Sequence, residues 1–494
     1  MARLSHRQPL DQADLAALQR PRDDLVAEAR DDLVAEARDD LVADDTDEVV
    51  PEDPDGGDWT GEARFVAVAG AFRDYERLLR WRPLPEEAAD DAPPRRWLVE
   101  ERISFHLATP LWGWLFSPLT KRALRHPRPA GWQPWWAPPA RLDPRQATVL
   151  SLLATLTLVS SYLGTLLSQT LTFAAADFGA SKSAQGVLLA AARLGIVATL
   201  VATTAADRVG RSRLLRSTML LACVAMGAVT FAPALLWFGV GQTVGRGLTT
   251  AADVIIIILA VEEMPTRCRA WATAVLALIG GLGSGMVVWL LPLADLGSAA
   301  WRAIYVPPLL FLPLVWWAGR QLPESRRFLF ASGAALSAEP GPTGGEPART
   351  PARTRPRFDA ADRRRLGLLA VAAFLVLVFA APASQFQNEF LRDERGFSAA
   401  RITVFTLLSG TPAGLGVWFG GRLAEGVGRR RVGAVGLAGG AILVGFSFLS
   451  HGALLWALSI VGTMLAGSPC PPCGSTGRSC SPPACAPGPT GSPR

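Results

Sequence analysis

Long apolar runs dominate the chain after residue 146, and they limit the folds that it can adopt. The hydrocarbon core of a bilayer is about 30 Å thick, and about 20 apolar residues in a helix cross it. Backbone polar groups inside lipid must pair within their own segment, so these runs are predicted to be helices. The sequence therefore predicts an all-α polytopic membrane protein. The predicted spans cover residues 147–173, 184–206, 214–231, 235–261, 270–293, 301–319, 366–383, 399–419, 432–449 and 453–466.

Basic residues are concentrated in the loops that follow the even-numbered spans. The loops on the opposite side, such as residues 388–395, carry nearly balanced charge. The positive-inside rule therefore places the basic loops and the N-terminus in the cytoplasm, and predicts a multi-pass protein of the plasma (inner) membrane. Because the cations lie in these short loops, the net charge of +6 does not indicate nucleic-acid binding.

Two regions precede the first span, and they differ in composition. Residues 1–58 are acidic and contain an octapeptide at 23–30 that recurs at 31–38, so a disordered tail is expected. Residues 59–146 contain apolar residues at helical spacing, which predict an amphipathic helix, and then a Trp-rich basic stretch typical of the membrane interface. A small soluble cap packed on the spans is an equally supported alternative. The residues at helical spacing are Phe65, Val68, Phe72, Tyr75 and Leu79.

An internal repeat divides the membrane region into two halves. Residues 206–213 match residues 424–431 at five of eight positions when the chain is shifted by 218 residues. The two halves are predicted to be parallel repeats. They comprise a six-span half at 147–319, a cytoplasmic linker at 320–365 and an incomplete half of about four spans at 366–467.

The repeated loop joins an acid, a glycine and several arginines, and it resembles the signature loop of the major facilitator superfamily. This resemblance implies two six-helix half-domains and transport of a small solute by alternating access. The acid stands at a helix end, where it can pair with an arginine or a helix N-terminus and stabilise one access state. The matching residues are Asp207, Arg208, Gly210 and Arg211 in the first copy and Glu425, Gly428, Arg429 and Arg430 in the second.

Two further charged motifs resemble the sugar-porter and metabolite:proton symporter branch of that superfamily. Glu262 and Arg269 follow the fourth span, and Glu324 and Arg327 follow the sixth. The resemblance implies that these four residues join a cytoplasmic charge network. The acid that proton-coupled sugar porters carry in the first span is missing from residues 160–169, so a sugar substrate is not predicted.

Ionisable and polar residues inside the spans are candidates for coupling and for substrate binding, because unpaired charges are costly in lipid. Arg246 and Asp253 are seven residues apart on one face of the fourth span. Arg246 resembles the superfamily's proton-coupling arginine, and Asp253 is a candidate for its partner or for a proton acceptor; a purely structural ion pair is the alternative. For the polar residues, interhelical hydrogen bonds are the alternative. The substrate-cavity candidates are Tyr162, Thr165, Gln169, Gln242, Gln385 and Asn388.

The sequence predicts neither an enzyme nor a cofactor. Residues 468–494 are a low-complexity tail whose four cysteines lack histidine partners, so no metal site is expected; a frameshift or truncation after the tenth span is the expected origin of this tail. The leading prediction is a monomeric secondary transporter whose partners are a solute, the bilayer and protons. A non-transporting sensor or scaffold, or an inactive remnant, is the alternative.

Overall fold

The computed structural model describes residues 2–30, 59–84, 96–125, 128–129, 132, 134, 136–195, 210–325, 360–423 and 429–467. The chain divides into two compact units, Met1–Thr350 and Pro351–Arg494. This division falls inside the linker predicted at residues 320–365.

An antiparallel sheet of five strands lies near the N-terminus, in the order β1-β5-β4-β3-β2. The first strand pairs with the fifth along its whole length, from Ala2 opposite Phe105 to Asp11 opposite Arg96. The start of the chain is therefore part of a folded domain. The elements are β1 Ala2–Asp11, α1 Gln12–Leu18, β2 Ala27–Arg30, β3 Gly61–Ala69, β4 Phe72–Pro83, β5 Arg96–Leu107 and α2 Gly113–Leu124.

The amphipathic helix predicted from Phe65 to Leu79 is wrong, because these residues form two strands. A turn at Gly70 separates β3 from β4, and a register shift between Phe72 and Asp74 interrupts the apolar pattern at the start of β4. From Tyr75 to Leu79 the burial alternates with a period of two, as a half-buried strand requires. Arg77 occupies one of the inward positions, so the period-two pattern is hidden in the sequence.

The disordered tail predicted at residues 1–58 is also wrong for residues 2–30. The first copy of the octapeptide contributes strand β2 and two buried acids, Asp24 and Glu28. These acids are tolerated in the interior because arginines pair with them: Arg22 with Asp24 at 2.8 Å and Arg77 with Glu28 at 2.7 Å. The second copy lies outside the described residues.

One face of the sheet carries two apolar clusters with an ionic group between them. Phe65, Leu79 and Val99 pack with α1 in one cluster. In the ionic group, Arg77 binds both carboxylate oxygens of Glu28 and donates to the carbonyl oxygen of Leu18. Burial raises the pKa of Glu101 beside this group, against the opposing effects of nearby Arg77 and Arg22. The second cluster comprises Val26, Phe72, Tyr75, Ile103, Phe105 and Leu124.

The helices of the first unit after the sheet confirm the predicted polytopic membrane fold, while the sheet itself departs from the all-α prediction. Six helical segments in the described part of the whole chain are long and apolar enough to cross a bilayer. Helix α4 ends at Leu194, and the rest of the predicted second span lies outside the described residues. The helices are α3 Pro144–Asp177, α4 Lys182–Leu194, α5 Arg211–Ala228, α6 Leu235–Glu263, α7 Arg269–Leu290, α8 Pro307–Leu310 and α9 Leu312–Gln321.

The second unit contains four helices in its described residues. Helices α10, α11 and α12 contain 30, 25 and 21 residues, and α13 contains 16. Their positions agree with the last four predicted spans. Their bounds are α10 Ala360–Glu389, α11 Ala399–Leu423, α12 Arg429–Leu449 and α13 Gly452–Gly467.

Small residues bring the first and fifth spans into close contact. A side chain at Gly280 would lie 2.8 Å from Oγ of Ser161, and one at Gly283 would overlap the carbonyl oxygen of Leu158. Close backbone approach of this kind drives helix association in lipid, where no hydrophobic force acts between helices. It fixes α7 against α3.

The sheet is fastened to the beginning of α3. The indole nitrogen of Trp112 donates to Oγ1 of Thr155 at 3.0 Å, and Thr148 donates to the carbonyl oxygen of Ala108 at 3.0 Å. An ion pair of 2.6 Å joins Arg141, just before α3, to Asp23. The sheet therefore sits at the end of the helix bundle where α3 begins.

Replacing Arg77 by Gln is expected to destabilise the sheet by about 3–5 kcal/mol, because it leaves buried carboxylates without their counter-charge. Hydrogen exchange at the backbone amides of β4 and β5 in the full-length protein measures this loss. The matched control is Arg64→Gln, which breaks an exposed pair with Glu76 and should cost less than about 1 kcal/mol. Equal protection in the two variants would contradict a structural role for the buried ionic group.

Candidate functional site

A carboxylate from the segment after α9 caps the N-terminus of α5. Glu324 accepts hydrogen bonds from the backbone N–H of Arg211 at 2.9 Å and of Ser212 at 3.2 Å. The hydroxyl of Ser212 donates to its other oxygen at 2.7 Å. The first backbone N–H groups of a helix have no partner inside the helix, and they carry partial positive charge, so a carboxylate stabilises this end.

Gly210 explains why the cap must come from another segment. It is the residue before α5, and its φ of 103° lies in a region that side chains rarely adopt. Glycine has no side chain that can accept from the helix N-terminus, as Ser or Asp would do. Glu324, far away in sequence, supplies the missing acceptor.

A second carboxylate extends these contacts to the end of α6. Glu262 accepts a hydrogen bond from the guanidinium of Arg211, and the hydroxyl of Ser325 donates to the same carboxylate at 2.9 Å. We call these five residues, Arg211, Ser212, Glu262, Glu324 and Ser325, the capping network. It joins the start of α5, the end of α6 and the segment that follows α9.

Arg145, at the start of α3, links this helix to the capping network. Its guanidinium donates to the backbone carbonyl oxygen of Glu324 at 3.0 Å and lies 3.5 Å from the carboxylate of Glu263. Four membrane helices thus end within one set of polar contacts. Ser212, Ser325 and Arg145 were not predicted as site residues, and their proximity to the charged motifs was the only signal.

The structure brings some of the predicted motif residues together and leaves others apart. Gly210, Arg211, Glu262 and Glu324 meet as described above. Arg269 does not pair with Glu262 in the described residues, and donates instead to the carbonyl oxygen of Met264 at 3.3 Å. Arg429 and Arg430 are the first residues of α12. The remaining predictions, Asp207, Arg208, Arg327, Glu425 and Gly428, lie outside the described residues.

The pKa of Glu324 is shifted by two opposing effects. Partial burial raises the pKa of this carboxyl group. Hydrogen bonds from the Ser212 hydroxyl and from the backbone N–H groups of Ser212, Ser325 and Arg211 lower the pKa by more, so the net shift is downward. Hydrogen bonds to a carboxylate favour its charged form. Glu324 therefore stays ionised at neutral pH.

Inside the membrane region, Asp253 of α6 accepts a hydrogen bond of 2.6 Å from the hydroxyl of Ser160 in α3. The described residues contain no ion pair between Asp253 and Arg246. Seven residues correspond to about 10 Å along a helix axis, which is too far for a direct contact between these side chains. The structural ion pair between Arg246 and Asp253, the alternative that the sequence left open, is therefore absent from the described residues, while Asp253 contacts the first span.

Several predicted cavity residues form hydrogen bonds between helices of the first unit. The amide nitrogen of Gln242 donates to the hydroxyl of Tyr305 at 2.8 Å, and Thr170 lies 2.7 Å from the same hydroxyl. Tyr162 donates to the carbonyl oxygen of Ile304 at 2.7 Å, and Thr165 to Oγ of Ser284 at 2.9 Å. Tyr162 and Gln242 are completely buried. These contacts fit the interhelical alternative better than a substrate-facing role. Gln169 is half-buried in α3, and its role in substrate binding stays a prediction.

The opposite end of α3 is closed by an aromatic cluster that the sequence did not indicate. The indole of Trp301 packs edge to face against Phe178 and Phe238. Asp177 accepts from Arg302 at 2.8 Å and from the indole nitrogen of Trp301 at 3.2 Å. These contacts join α3, α6 and the beginning of the sixth span at the end of the bundle far from Glu324.

The second unit contains a cavity of about 460 Å³ between its helices. It is mostly apolar, and its polar lining residues are Gln387 and five residues with hydroxyl groups: Ser384, Ser409, Ser447, Ser459 and Thr463. The predicted residues Gln385 and Asn388 are not among its lining. Asn388 is buried, and the side-chain oxygen of Gln385 is buried with no hydrogen-bond partner in the described residues.

Comparison with known proteins identifies the family. The sequence model of the Major Facilitator Superfamily matches residues 153–485 of the 494-residue chain. The chain belongs to the Major Facilitator Superfamily. The match includes the helices of the capping network and leaves out the N-terminal sheet, so this major facilitator carries an additional domain. No curated protein matches the chain.

Solved structures of transporters have a similar fold. A mutant of the nucleoside transporter NupG has a TM-score of 0.50 and 11% sequence identity, and the similarity covers 65% of this chain and 79% of that one. The xylose transporter XylE from E. coli, partially occluded and inward open, has a TM-score of 0.49 and 16% identity, with coverages of 66% and 86%. At these identities the likeness extends to the fold alone.

Lowering the pH is expected to weaken the capping network. The folded pKa of Glu324 lies below its unfolded pKa, so its stabilisation is fully present above the unfolded pKa and is lost as the pH falls through the folded pKa. Glu324→Gln should destabilise the protein at pH 7 by about 1 kcal/mol and remove this part of its acid sensitivity. Thermal unfolding of the purified protein from pH 7 to pH 3 measures both effects.

The control for this experiment is Glu394→Gln, which neutralises an exposed carboxylate that does not belong to the capping network. This variant should follow the wild-type curve. If Glu324→Gln also follows the wild-type curve at every pH, the carboxylate does not cap α5 in solution.

Proposed function

We propose that this protein is a secondary transporter that moves a small solute across the plasma membrane by alternating access, with proton coupling through Asp253. Membership of the superfamily supports solute transport. The observation that carries the coupling is the contact between Asp253 and Ser160, which joins the fourth span to the first. A carboxyl group within a span is costly in lipid and is retained where it has a function.

Protonation would change this contact directly. The ionised carboxylate of Asp253 accepts the hydrogen bond from Ser160, whereas the protonated group is itself a donor. Gain and loss of one proton therefore alters how α6 is held against α3. This gives proton binding a way to favour one access state over the other.

The capping network is the second part of the proposed mechanism. It holds the ends of α3, α5 and α6 and the segment after α9 together through ionised groups, on the side proposed to be cytoplasmic. We propose that these contacts form in one access state and are released in the other. The resemblance of Glu262 and Glu324 to the charge network of the sugar-porter branch supports this role.

A non-transporting sensor is the second candidate, and the N-terminal sheet favours it. The sheet is a folded domain fastened to α3, and the family match does not include it. A sensor would bind a solute through the spans and pass the signal to the sheet without moving the solute. Uptake measurements separate the two candidates.

The proposed coupling predicts that Asp253→Asn stops uptake driven by a pH gradient but keeps solute exchange. Asn retains the shape of the side chain and cannot take up a proton, so only the proton-driven step fails. Uptake and counterflow of a panel of sugars, nucleosides and organic anions in proteoliposomes measure the two activities. We expect at least a tenfold loss of driven uptake and little change in exchange.

The matched control is Asp253→Glu, which keeps a titratable carboxyl group and should keep driven uptake. If Asp253→Asn still concentrates solute against a pH gradient, Asp253 is not the coupling group. If the folded wild-type protein neither takes up nor exchanges any solute, transport itself is contradicted and the sensor is favoured.

A further inference from the structure

Two adjoining cavities lie where the N-terminal sheet meets the membrane helices. The first, which we call the apolar cavity, has a volume of about 220 Å³ and is almost entirely lined by apolar atoms. The sheet domain contributes Phe72, Trp112 and Phe116, and the first turns of the fifth span contribute Trp271 and Val275. It is an apolar chamber between a folded domain and two membrane spans.

The second, which we call the basic cavity, has a volume of about 660 Å³. Its lining includes three basic side chains, those of Arg73, His106 and Lys121. Among the described residues of its lining none is acidic; outside the lining, the carboxylate of Asp74 lies 3.7 Å from the ring of His106. A cavity of this size is within the usual range for small-molecule sites, and its charge suits an anion.

The two cavities share Leu107 and Thr109 in their linings. The hydroxyl of Thr109 is buried and has no hydrogen-bond partner in the described residues. Buried hydroxyl groups are normally satisfied, so an unpaired one at a cavity wall indicates that something else supplies its partner. This group lies at the junction of an apolar chamber and a cationic one.

Both cavities lie at the level where the spans leave the membrane. Gln321, the last residue of α9, and Trp317 line the basic cavity, while Ala147, in the first turn of α3, lines the apolar cavity. Trp114, which also lines the basic cavity, is 75% exposed on α2. Exposed tryptophans beside basic residues are typical of the lipid headgroup layer.

We propose that these two cavities together bind one anionic phospholipid. An acyl chain would enter the apolar cavity, the phosphate would lie among Arg73, His106 and Lys121, and the glycerol or ester oxygens would meet the hydroxyl of Thr109. A free phosphate ion would leave the apolar cavity unfilled, and a neutral lipid would leave the cations uncompensated. The bound lipid would hold the sheet against α3, α7 and α9.

The test uses the purified, delipidated full-length protein and native mass spectrometry. The added lipids are phosphatidylglycerol and, separately, phosphatidylcholine. We expect one tightly bound phosphatidylglycerol and weaker binding of phosphatidylcholine. The Arg73→Gln/Lys121→Gln double variant should bind phosphatidylglycerol on the order of thirtyfold more weakly, because each of the two cations near a headgroup contributes about 1 kcal/mol.

Controls exist on the same elements. Arg122→Gln/Arg125→Gln removes two cations at the end of α2, the helix that carries Lys121. Neither arginine lines either cavity, so this variant should leave binding unchanged. Val275→Phe fills the apolar cavity and should weaken both lipids, whereas Leu278→Phe changes a residue on the exposed side of the same helix and should weaken neither. Size-exclusion chromatography confirms that each variant is folded.

Three results would overturn the proposal. The first is equal loss of phosphatidylglycerol in the cavity and control double variants, which would indicate general surface attraction. The second is full binding by Val275→Phe, which would show that no chain occupies the apolar cavity. The third is displacement of phosphatidylglycerol by inorganic phosphate at matched concentration, which would indicate a simple anion site.

Discussion

The arrangement of helix ends in the first unit depends on one capping interaction, the carboxylate of Glu324 at the N-terminus of α5. The helix begins after a glycine that has no side chain, so its first N–H groups need an acceptor from elsewhere. By accepting these bonds, Glu324 fixes the segment after the sixth span to the start of the third. Arg211 then reaches Glu262 at the end of α6, so one cap organises three helix ends.

The N-terminal sheet is connected to the same end of the bundle through the beginning of α3. Arg141 pairs with Asp23 of the sheet domain, and Arg145, one turn later, contacts Glu263 and the backbone of Glu324. The capping network and the sheet are therefore connected through a short stretch of chain, residues 141–145. The proposed phospholipid would act at this junction, because its two cavities are walled by the sheet and by α3, α7 and α9.

The membrane helices could be predicted from sequence because lipid leaves the backbone no alternative to a helix. The sheet could not, because Arg77, Glu28 and Glu101 occupy buried positions and replace the alternation that marks a strand. Of the site, Glu262, Glu324, Gly210 and Arg211 were recognisable because their motifs resemble those of the major facilitator superfamily. Ser212, Ser325 and Arg145 were not, because their roles depend on which helix ends meet in space.

The central claim is that the capping network opens during transport, and reversible cross-linking tests it most directly. Ser212→Cys combined with Glu324→Cys places two thiols where hydroxyl and carboxylate lie 2.7 Å apart in the native protein. Closing them with a short, reducible bifunctional thiol reagent in proteoliposomes is predicted to stop solute uptake, and reduction is predicted to restore it. Unchanged uptake by the fully cross-linked protein would contradict the claim and make the network a static scaffold.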